Sequence, residues 1–236
     1  MRAVTFDLWG TLFSDDPPKN ALAIKRRREL AQTILARHEL HFSYEEIEGA
    51  FSSFAKEIGM IRERGFDIDT TEQTVLLLSF LHITPKKNLT DEIEETLSSF
   101  WLSALPSLAP HAEEALSFLS PRTKIGLISN TGWTSGKNIR LIFDKMGILH
   151  HFTYLTFSNE VRFWKPNPAI FQYAARELEE SPQRMMHVGD SLTADIRGAR
   201  SVGMRTVHMG DSEEADFRIR DLAEVIDIWE KASTYE

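Results

Sequence analysis

The spacing of hydrophobic and polar residues changes along this chain, beginning with a short apolar run. Residues 3–6, Ala-Val-Thr-Phe, end abruptly at Asp7, and a glycine turn follows. Such a run is typical of a strand buried on both faces. An unpaired carboxylate inside a sheet would be costly, so we place Asp7 at the carboxyl end of the strand, where open α/β sheets hold ligands. Alone, this pattern fits an ordinary strand end as well as a catalytic acid.

The following stretch of the chain has apolar residues at helical spacing. Ser43 with Glu46 resembles a capping box, and the connections between the periodic segments are short. Four amphipathic helices so joined predict a small bundle. The acids and prolines of residues 14–19 predict a linker at its entrance. The predicted helices are Lys19–Leu40, a segment from Ser43 through Phe54, Thr70–Leu81 and Thr90–Trp101, and Pro106 and Pro110 mark the exit.

After Pro110 the pattern changes to strands that alternate with helices. This alternation predicts an α/β fold with a doubly wound parallel sheet, to which residues 2–12 add a strand. We expect an α/β core of residues 1–14 and 106–236, with residues 15–105 inserted as a helical domain. The predicted strands are Ala3–Phe6, Lys124–Ser129, Tyr154–Phe157, Met185–Val188 and Arg205–Met209; the helices are His111–Leu119, Gly136–Met146, Pro168–Leu178, Ala194–Val202 and one from Asp221 onward.

Composition narrows the classes of function. The 236 residues are 42% hydrophobic, and 35 acidic against 27 basic residues give a net charge of -8. This balance argues against generic binding to nucleic acid or to anionic membranes. The chain has no cysteine, which excludes disulfides, thiolate metal ligands and thiol nucleophiles. No signal peptide or membrane-spanning run is recognisable, so we expect a cytoplasmic protein; its oligomeric state is open.

Two further predicted strands end in residues that suit a phosphate. Ser129 and Asn130 follow a strand and precede a helix. Such residues commonly form turns and caps, but the Ser129 hydroxyl and nearby N–H groups can also bind an anion. Lys165 precedes Pro166, which disfavours a helix there. It is either a solvated surface lysine or a cation that neutralises charge in a phosphoryl-transfer transition state.

Acidic residues gather at one edge of the predicted sheet. Asp190 follows the strand Met185–Val188, and Asp195 lies at a helix start, where it could simply favour the helix dipole. With Asp7, these acids crowd negative charge in a way that is costly unless a cation lies among them. Mg²⁺ fits, because it takes oxygen ligands and is commonly held by one or two carboxylates plus a substrate phosphate.

In order and spacing, these stretches resemble the four motifs of the haloacid dehalogenase superfamily, most of whose members are phosphohydrolases. The motifs here are Asp7 to Thr11, Ser129, Lys165-Pro166, and Gly189-Asp190 with Asp195. The resemblance covers the whole chain, because the helical insert is similar to that family's cap domain. It implies a sheet core with a mobile helical lid, one Mg²⁺ and a small-molecule phosphate as substrate.

The resemblance also implies a role for each motif residue. Asp7 would be the nucleophile that forms an aspartyl phosphate. Asp7 and Asp190 would bind Mg²⁺ through their side chains, joined by the main-chain carbonyl of Trp9. Asp195 would orient Lys165 or a metal-bound water. The residues implied to bind the substrate are Thr11, Ser129, Asn130 and Lys165, of which Lys165 also pairs with Asp7.

One position departs from the family's pattern. The phosphatases usually carry a second Asp two residues after the nucleophile, as general acid and base, where this chain has Trp9. Trp transfers no proton at neutral pH, and loss of a general acid typically costs about 10² to 10⁴ in rate. An aromatic residue there is similar to the family's dehalogenases, which have Tyr. Those enzymes resemble Ser-Ser-Asn at the last motif, however, whereas this chain keeps Gly189-Asp190.

We therefore predict a Mg²⁺-dependent hydrolase of a small organic phosphate that acts through Asp7. The alternatives are a 2-haloacid dehalogenase-like hydrolase, which needs no Mg²⁺, and a non-catalytic binding module of the same fold. Trp9 either packs under the cap, or indicates an enzyme that handles esters with good leaving groups or uses another acid. His187 is interpreted as a core or sheet residue, and His111 is unassigned. Five arginines of the insert are either a solvated helix face or contacts to an anionic substrate: Arg26, Arg27, Arg28, Arg62 and Arg64.

Overall fold

The structure, a computed structural model, describes the backbone of residues 1–234 and the side chains of residues 1–232. Its centre is a six-stranded sheet in which all pairings are parallel. The strands are β1 (Ala3–Phe6), β2 (Lys124–Ser129), β3 (Tyr154–Phe157), β4 (Met185–Gly189), β5 (Arg205–Met209) and β6 (Phe217–Ile219). They lie in the order β3-β2-β1-β4-β5-β6, so β1 is central between β2 and β4.

The helices fall into a group inserted after β1 and a group that alternates with the later strands. The inserted group, with the short helix that follows it, is α1 (Pro17–Arg37), α2 (Tyr44–Glu63), α3 (Thr70–Ser79), α4 (Lys87–Ser98) and α5 (Phe100–Ser103). The second group is α6 (Ala112–Leu119), α7 (Gly136–Lys145), α8 (Ser158–Val161), α9 (Pro168–Glu177), α10 (Gly198–Ser201) and α11 (Glu224–Thr234).

Helices cover both faces of the sheet, which confirms the predicted doubly wound α/β fold. β1 is buried along its whole length, as expected of a central parallel strand. One face packs on α6, α7 and α11, with a cluster that includes Phe6, Leu127, Val188 and Phe143. The other face packs on α9 and α10, with a cluster that includes Ile128, Phe171, Met185 and Ala199.

Helices α1 to α4 enclose an apolar cluster of their own. Helices α1 and α3 each contact α2 and α4. Capping boxes at Ser43 with Glu46 and at Asp69 with Glu72 fix the first turns of α2 and α3. The Ser43 capping box was predicted from the sequence and is confirmed. The cluster includes Ile34, Leu35, Ile47, Leu77, Leu78, Ile93 and Leu97. We call residues 17–98 the helical insertion.

Several element boundaries differ from the prediction for identifiable reasons. The prolines interpreted as a linker begin α1 at Pro17, because proline suits the first helical turn, and Asp16 caps that turn by accepting from Lys19 N at 3.0 Å. Helix α4 begins at Lys87, which leaves Thr90 buried inside it rather than at its start. The edge strand β6 was not predicted, because it has only three residues among polar neighbours.

The helix that follows the last motif begins with a turn wider than an α-helical one. The helix predicted from Ala194 begins two residues earlier, as a π-helical turn over Leu192–Arg197 that runs on into α10. Wider turns of this type are frequent at functional sites.

Among the described residues, no helix has the length and apolar character needed to cross a bilayer.

Candidate active site

The motif residues meet at the carboxyl edge of the three central strands. Asp7 follows β1, and its main-chain N–H donates to Val188 O of β4 at 2.8 Å. Ser129 ends β2, and Asp190 follows β4. Strand order reverses between β1 and β4, and open α/β sheets bind their ligands at such a switch point. The topology therefore gathers residues that are far apart in the sequence.

Lys165 is the centre of the polar cluster at this edge. Its side chain is 2% exposed, and Nζ donates to Asp7 Oδ1 at 2.5 Å, to Asp195 Oδ1 at 2.6 Å and to Ile128 O at 2.8 Å. Each N–H of the ammonium thus has an acceptor, which holds the group in one position. The buried ammonium offsets part of the charge of the two buried carboxylates.

The shared cation acts differently on the two carboxyl groups. Burial raises the pKa of Asp7 to about 7, although Lys165 partly opposes the rise. Burial would also raise the pKa of Asp195, but the Lys165 ammonium and a hydrogen bond from His187 outweigh it and hold this pKa below its usual range. Burial would lower the pKa of Lys165, yet the two carboxylates raise it. Lys165 and Asp195 are therefore ionised at neutral pH.

Asn130 positions the Lys165 loop rather than pointing freely into the site. Its Oδ1 accepts from Lys165 N at 2.8 Å, and its Nδ2 donates to Lys165 O at 3.2 Å, across the cis peptide that joins Lys165 to Pro166. Ser129 is fully buried beside it, and its hydroxyl donates to Asn130 O at a long 3.4 Å. The substrate-binding roles predicted for both residues stay predictions.

The carboxylates also fit a hard cation. Oxygen atoms of Asp7, Asp190 and Asp195 lie within 4.8 Å of one another. Asp195 already accepts from Lys165 and His187 at one oxygen and from Ser191 N at the other. Asp7 and Asp190 remain, and Mg²⁺ is commonly held by one or two carboxylates with water and substrate oxygens. The donor set therefore fits Mg²⁺.

Glycines let the backbone approach these acids closely. Gly10 has φ +83°, and a Cβ at this position would lie 2.7 Å from Asp190 Oδ2. A Cβ at Gly189 would lie 2.4 Å from the Asp195 side chain. Thr11, predicted to bind substrate, is buried and donates from Oγ1 to Asp190 Oδ1 at 3.4 Å. In this structure it supports Asp190.

Trp9 lies on the wall of a cleft between the sheet and the helical insertion. Its ring packs against Phe13 and Trp101, with centroid distances of 5.4 and 5.5 Å. A cavity of about 290 Å³ runs from Trp9 and Trp101 to Asp190. A second cavity, of about 280 Å³, shares Trp9, Asn20 and Trp101 and extends to residues 132–134, just after the Ser129 loop. Trp9 thus borders both parts of the cleft.

The helical insertion also contacts the Lys165 loop through residues that the sequence did not single out. Asp67 has a fully buried carboxylate, which accepts from Ser158 Oγ at 2.6 Å and from Arg62 Nε at 3.2 Å. Arg62 Nη2 donates to Thr131 O at 3.1 Å, and its guanidinium lies 4.0 Å from the centre of the Trp164 ring. No sequence signal separates Asp67 from the many acids of this helical region.

The two histidines have structural partners. His187 is fully buried in β4, as interpreted; its Nδ1 pairs with Thr5 Oγ1 at 2.9 Å and its Nε2 with Asp195 Oδ1 at 3.2 Å. His111 Nδ1 pairs with the Asp221 carboxylate at 2.7 Å, and its side chain is half exposed. His187 therefore helps to hold Asp195, whereas His111 is not among the residues of the cleft.

The arginines of the insertion divide by environment. Arg26 is exposed and pairs with Glu29, and Arg64 is also exposed, as expected of a solvated helix face. Arg28 lies 5.9 Å from the centre of the Phe51 ring. Arg27, by contrast, is buried against the cleft.

Comparisons with known proteins agree with this geometry. The haloacid dehalogenase-like hydrolase family matches residues 1–203. A glyceraldehyde 3-phosphate phosphatase of Methanopyrus kandleri is 30% identical over 231 residues, which are 96% of this chain and 91% of that protein.

Two solved structures extend the likeness to the fold. The crystal structure of a HAD phosphatase from Thermococcus onnurineus has a TM-score of 0.62 at 24% identity and covers 97% of this chain and 98% of its own. The crystal structure of a 2-haloacid dehalogenase from Pseudomonas syringae pv. tomato has a TM-score of 0.71 at 20% identity, with 98% and 99% covered.

The chain therefore belongs to the haloacid dehalogenase-like hydrolase family and is a hydrolase, as predicted. At these identities, the likeness to the two solved structures concerns the fold alone.

Proposed function

We propose that this protein is a Mg²⁺-dependent phosphatase that hydrolyses a small sugar phosphate through an aspartyl-phosphate intermediate at Asp7. The observation that carries the proposal is the buried cluster in which Lys165 bridges Asp7 and Asp195 while Asp190 lies beside them. The 30% identity to a glyceraldehyde 3-phosphate phosphatase supports a small phosphorylated sugar as substrate. Cavities of about 290 and 280 Å³ suit a molecule of that size.

The geometry suits nucleophilic attack by one oxygen of Asp7. Oδ1 accepts from Lys165, whereas no described residue donates to Oδ2. Oδ2 attacks phosphorus, the bond from phosphorus to the ester oxygen breaks, and that oxygen leaves with its electron pair and takes a proton from water. Water then attacks phosphorus and releases phosphate and Asp7. Lys165 neutralises charge beside the transferring group, and little else is required of the protein in such reactions.

Asp7, Asp190 and the main-chain carbonyl of Trp9 would hold Mg²⁺. The bound cation would offset the repulsion among the carboxylates and the charge on the phosphoryl oxygens. Thr11 holds Asp190 and Asn130 holds Lys165, so both loops are arranged before substrate enters. The helical insertion acts as the cap that excludes water from this site and supplies the walls of the cleft.

Trp9 is the observation that favours a second candidate. It cannot protonate a leaving group, and an aromatic residue at this place is similar to the family's dehalogenases. In such a reaction, an Asp7 oxygen would displace halide from carbon and no metal would be needed. Asp190 weighs against this candidate, because a carboxylate held beside Asp7 has a clear use only with a cation.

The proposal is tested with glyceraldehyde 3-phosphate and 4-nitrophenyl phosphate, assayed with Mg²⁺ and with a chelator. We expect hydrolysis only with the metal, and we expect Asp7→Asn to abolish it because the amide cannot attack phosphorus. The matched control is Asp144→Asn, a change at an exposed acid on α7, which should leave the rate unchanged.

Three results would contradict the proposal in different ways. Full activity of Asp7→Asn would exclude the aspartyl intermediate. Halide release from 2-chloropropionate that is indifferent to the chelator would establish the dehalogenase. Mg²⁺ binding without turnover of either phosphate ester or of a broader phosphate panel would leave a non-catalytic binding module.

A further inference from the structure

Arg27 of α1 is the most deeply buried of the five arginines named in the sequence analysis. It is only 9% exposed. Nε donates to Leu97 O at 2.9 Å, and Nη2 donates to Thr134 Oγ1 at 3.3 Å. No described residue accepts from Nη1. The side chain thus joins the helical insertion to the loop that follows Ser129, with hydrogen-bonding capacity to spare.

No carboxylate compensates this charge. Among residues 1–232, none forms an ion pair with Arg27, and burial lowers the pKa of its guanidinium to about 10, so it stays protonated at neutral pH. The contact with Leu97 O, near the C-terminal end of α4, accounts for Nε, because cations are favourable there. It does not account for Nη1. A buried charge without a counter-charge is costly, so an external anion is a natural partner.

The position of Arg27 indicates where that anion would come from. Arg27 lines the cavity of about 280 Å³ together with Trp9, Trp101 and residues 132–134. That cavity has no acidic residue in its lining, and it shares Trp9, Asn20 and Trp101 with the cavity that reaches Asp190. An anion bound at Arg27 would therefore belong to the same molecule whose phosphate lies at Asp7.

We propose that Arg27 binds a second anionic group of the substrate, so that the preferred substrates are small phosphomonoesters that carry a carboxylate or a further phosphate. This inference rests on the proposed function, because it takes the phosphate to lie at Asp7. The planar guanidinium suits both groups, since each offers two oxygens to its N–H groups. The size of the cavity restricts the linking skeleton to a few carbon atoms.

Three compounds with one skeleton test this proposal. Glycerol 1-phosphate, 3-phosphoglycerate and glycerol 1,3-bisphosphate share a three-carbon chain and differ at one end in a hydroxyl, a carboxylate or a second phosphate. Their binding is measured by calorimetry with Mg²⁺ on an Asp7→Asn variant, which cannot turn them over. We expect 3-phosphoglycerate, glycerol 1,3-bisphosphate or both to bind about tenfold or more tightly than glycerol 1-phosphate, because the second anionic group makes a charge-assisted contact with Arg27.

A second variant assigns the preference to Arg27. Adding Arg27→Gln should abolish the difference among the three compounds while the Kd of glycerol 1-phosphate stays within about twofold. The matched control is Arg26→Gln, which alters the neighbouring exposed arginine and should preserve the preference. Which compound loses affinity identifies the second group as carboxylate or phosphate.

Other results would overturn the inference. Equal binding of the three compounds by the protein with Arg27 intact would contradict it, as would no measurable binding of any. An equal loss for all three in Arg27→Gln would assign Arg27 a purely structural role. Because binding is measured without turnover, the two proposals fail separately. A charge preference that depends on Arg27, found together with no hydrolysis of any phosphate ester by the unaltered protein, would refute the proposed function and leave Arg27 only as an anion-binding residue.

Discussion

Two cations are buried in the described part of this protein, one in the α/β core and one in the helical insertion, and their surroundings differ sharply. Lys165, from the loop between α8 and α9, is 2% exposed and has carboxylate oxygens of Asp7 and Asp195 at 2.5 and 2.6 Å. Arg27, from the helical insertion, is 9% exposed, and its only hydrogen-bond partners among the described residues are a carbonyl and a hydroxyl. The Phe100 ring lies 5.8 Å from its guanidinium, but no carboxylate pairs with it.

The difference indicates how the work of the protein is divided. Lys165 belongs to a network that balances its charge before any substrate arrives, which is the condition for preorganised electrostatic stabilisation. Arg27 lacks such a partner, so its charge is available to a ligand. The sheet thus supplies a chemistry that many substrates could use, and the insertion supplies the means of choosing among them.

Substitution of Lys165 is the most severe test of the difference between the two cations. We expect Lys165→Met to lower kcat/KM by about 10³-fold or more, because the transferring phosphoryl group loses a preorganised charge. Steady-state hydrolysis of 4-nitrophenyl phosphate measures the effect, with the exposed Lys145→Met as control. A loss of less than tenfold would mean that Lys165 only stabilises the fold.

The free energy of unfolding should also distinguish Lys165 from Arg27. Lys165→Met leaves two carboxylates buried without their cation and should lower the free energy of unfolding by about 3 kcal/mol or more. Arg27→Met removes a buried charge that has no counter-charge, so the change should be about 1 kcal/mol or less in either direction. Urea denaturation without Mg²⁺ or phosphate measures both values. Equal losses would contradict the difference drawn between these sites.

Substitution of Trp9 should change kcat/KM less than substitution of Lys165 does, and should raise it. Trp9→Asp restores a group that can transfer protons, but it removes packing against Phe13 and Trp101. We expect a gain of about tenfold in kcat/KM on glycerol 1-phosphate and none on 4-nitrophenyl phosphate, whose leaving group needs no proton. Trp9→Asn, which makes the same space without the proton, should give no gain. If both variants gain equally, space rather than acid catalysis is limiting.

The acid limb of the pH profile should depend on the metal. Asp7 must be ionised to attack, and burial raises its pKa to about 7, so kcat/KM rises as the pH increases through that range. A cation and a proton compete for the same carboxylate, so more Mg²⁺ should move the midpoint to lower pH, by up to about one unit per tenfold increase. A midpoint that is independent of Mg²⁺ would show that another group controls this limb.

The parts of the site predicted from the sequence are those in which backbone direction alone fixes the position. Asp7 and Asp190 follow buried strands and Ser129 ends one, and parallel strands present their carboxyl ends at one edge. The fold was predictable for the same reason, since strands and helices alternate clearly after Pro110. Strand β6 and the start of α1 were not predictable, because a three-residue edge strand and a proline pair carry little periodic signal.

The parts that could not be predicted depend on contacts between the insertion and the core. Arg26 and Arg27 are neighbours of the same type, yet one is exposed and the other is buried. Helical spacing places Arg27 on the buried face of α1 with Ala23 and Ala31, but its contacts with α4 and the Thr134 loop are visible only in the structure. The same holds for Asp67, whose burial against Ser158 follows from how the insertion lies on the sheet. Local sequence carries no record of such an arrangement.

The tryptophans of the cleft give the protein a built-in optical probe. Trp9 and Trp101 border both cavities, and Trp133 lines the second while its ring lies 4.8 Å from that of Phe54 in the insertion. A ligand that enters either cavity changes the polarity around these indoles, so their emission should report occupancy without any label. Because Trp133 joins the Ser129 loop to α2, its fluorescence would also register movement of the insertion relative to the sheet within a single turnover.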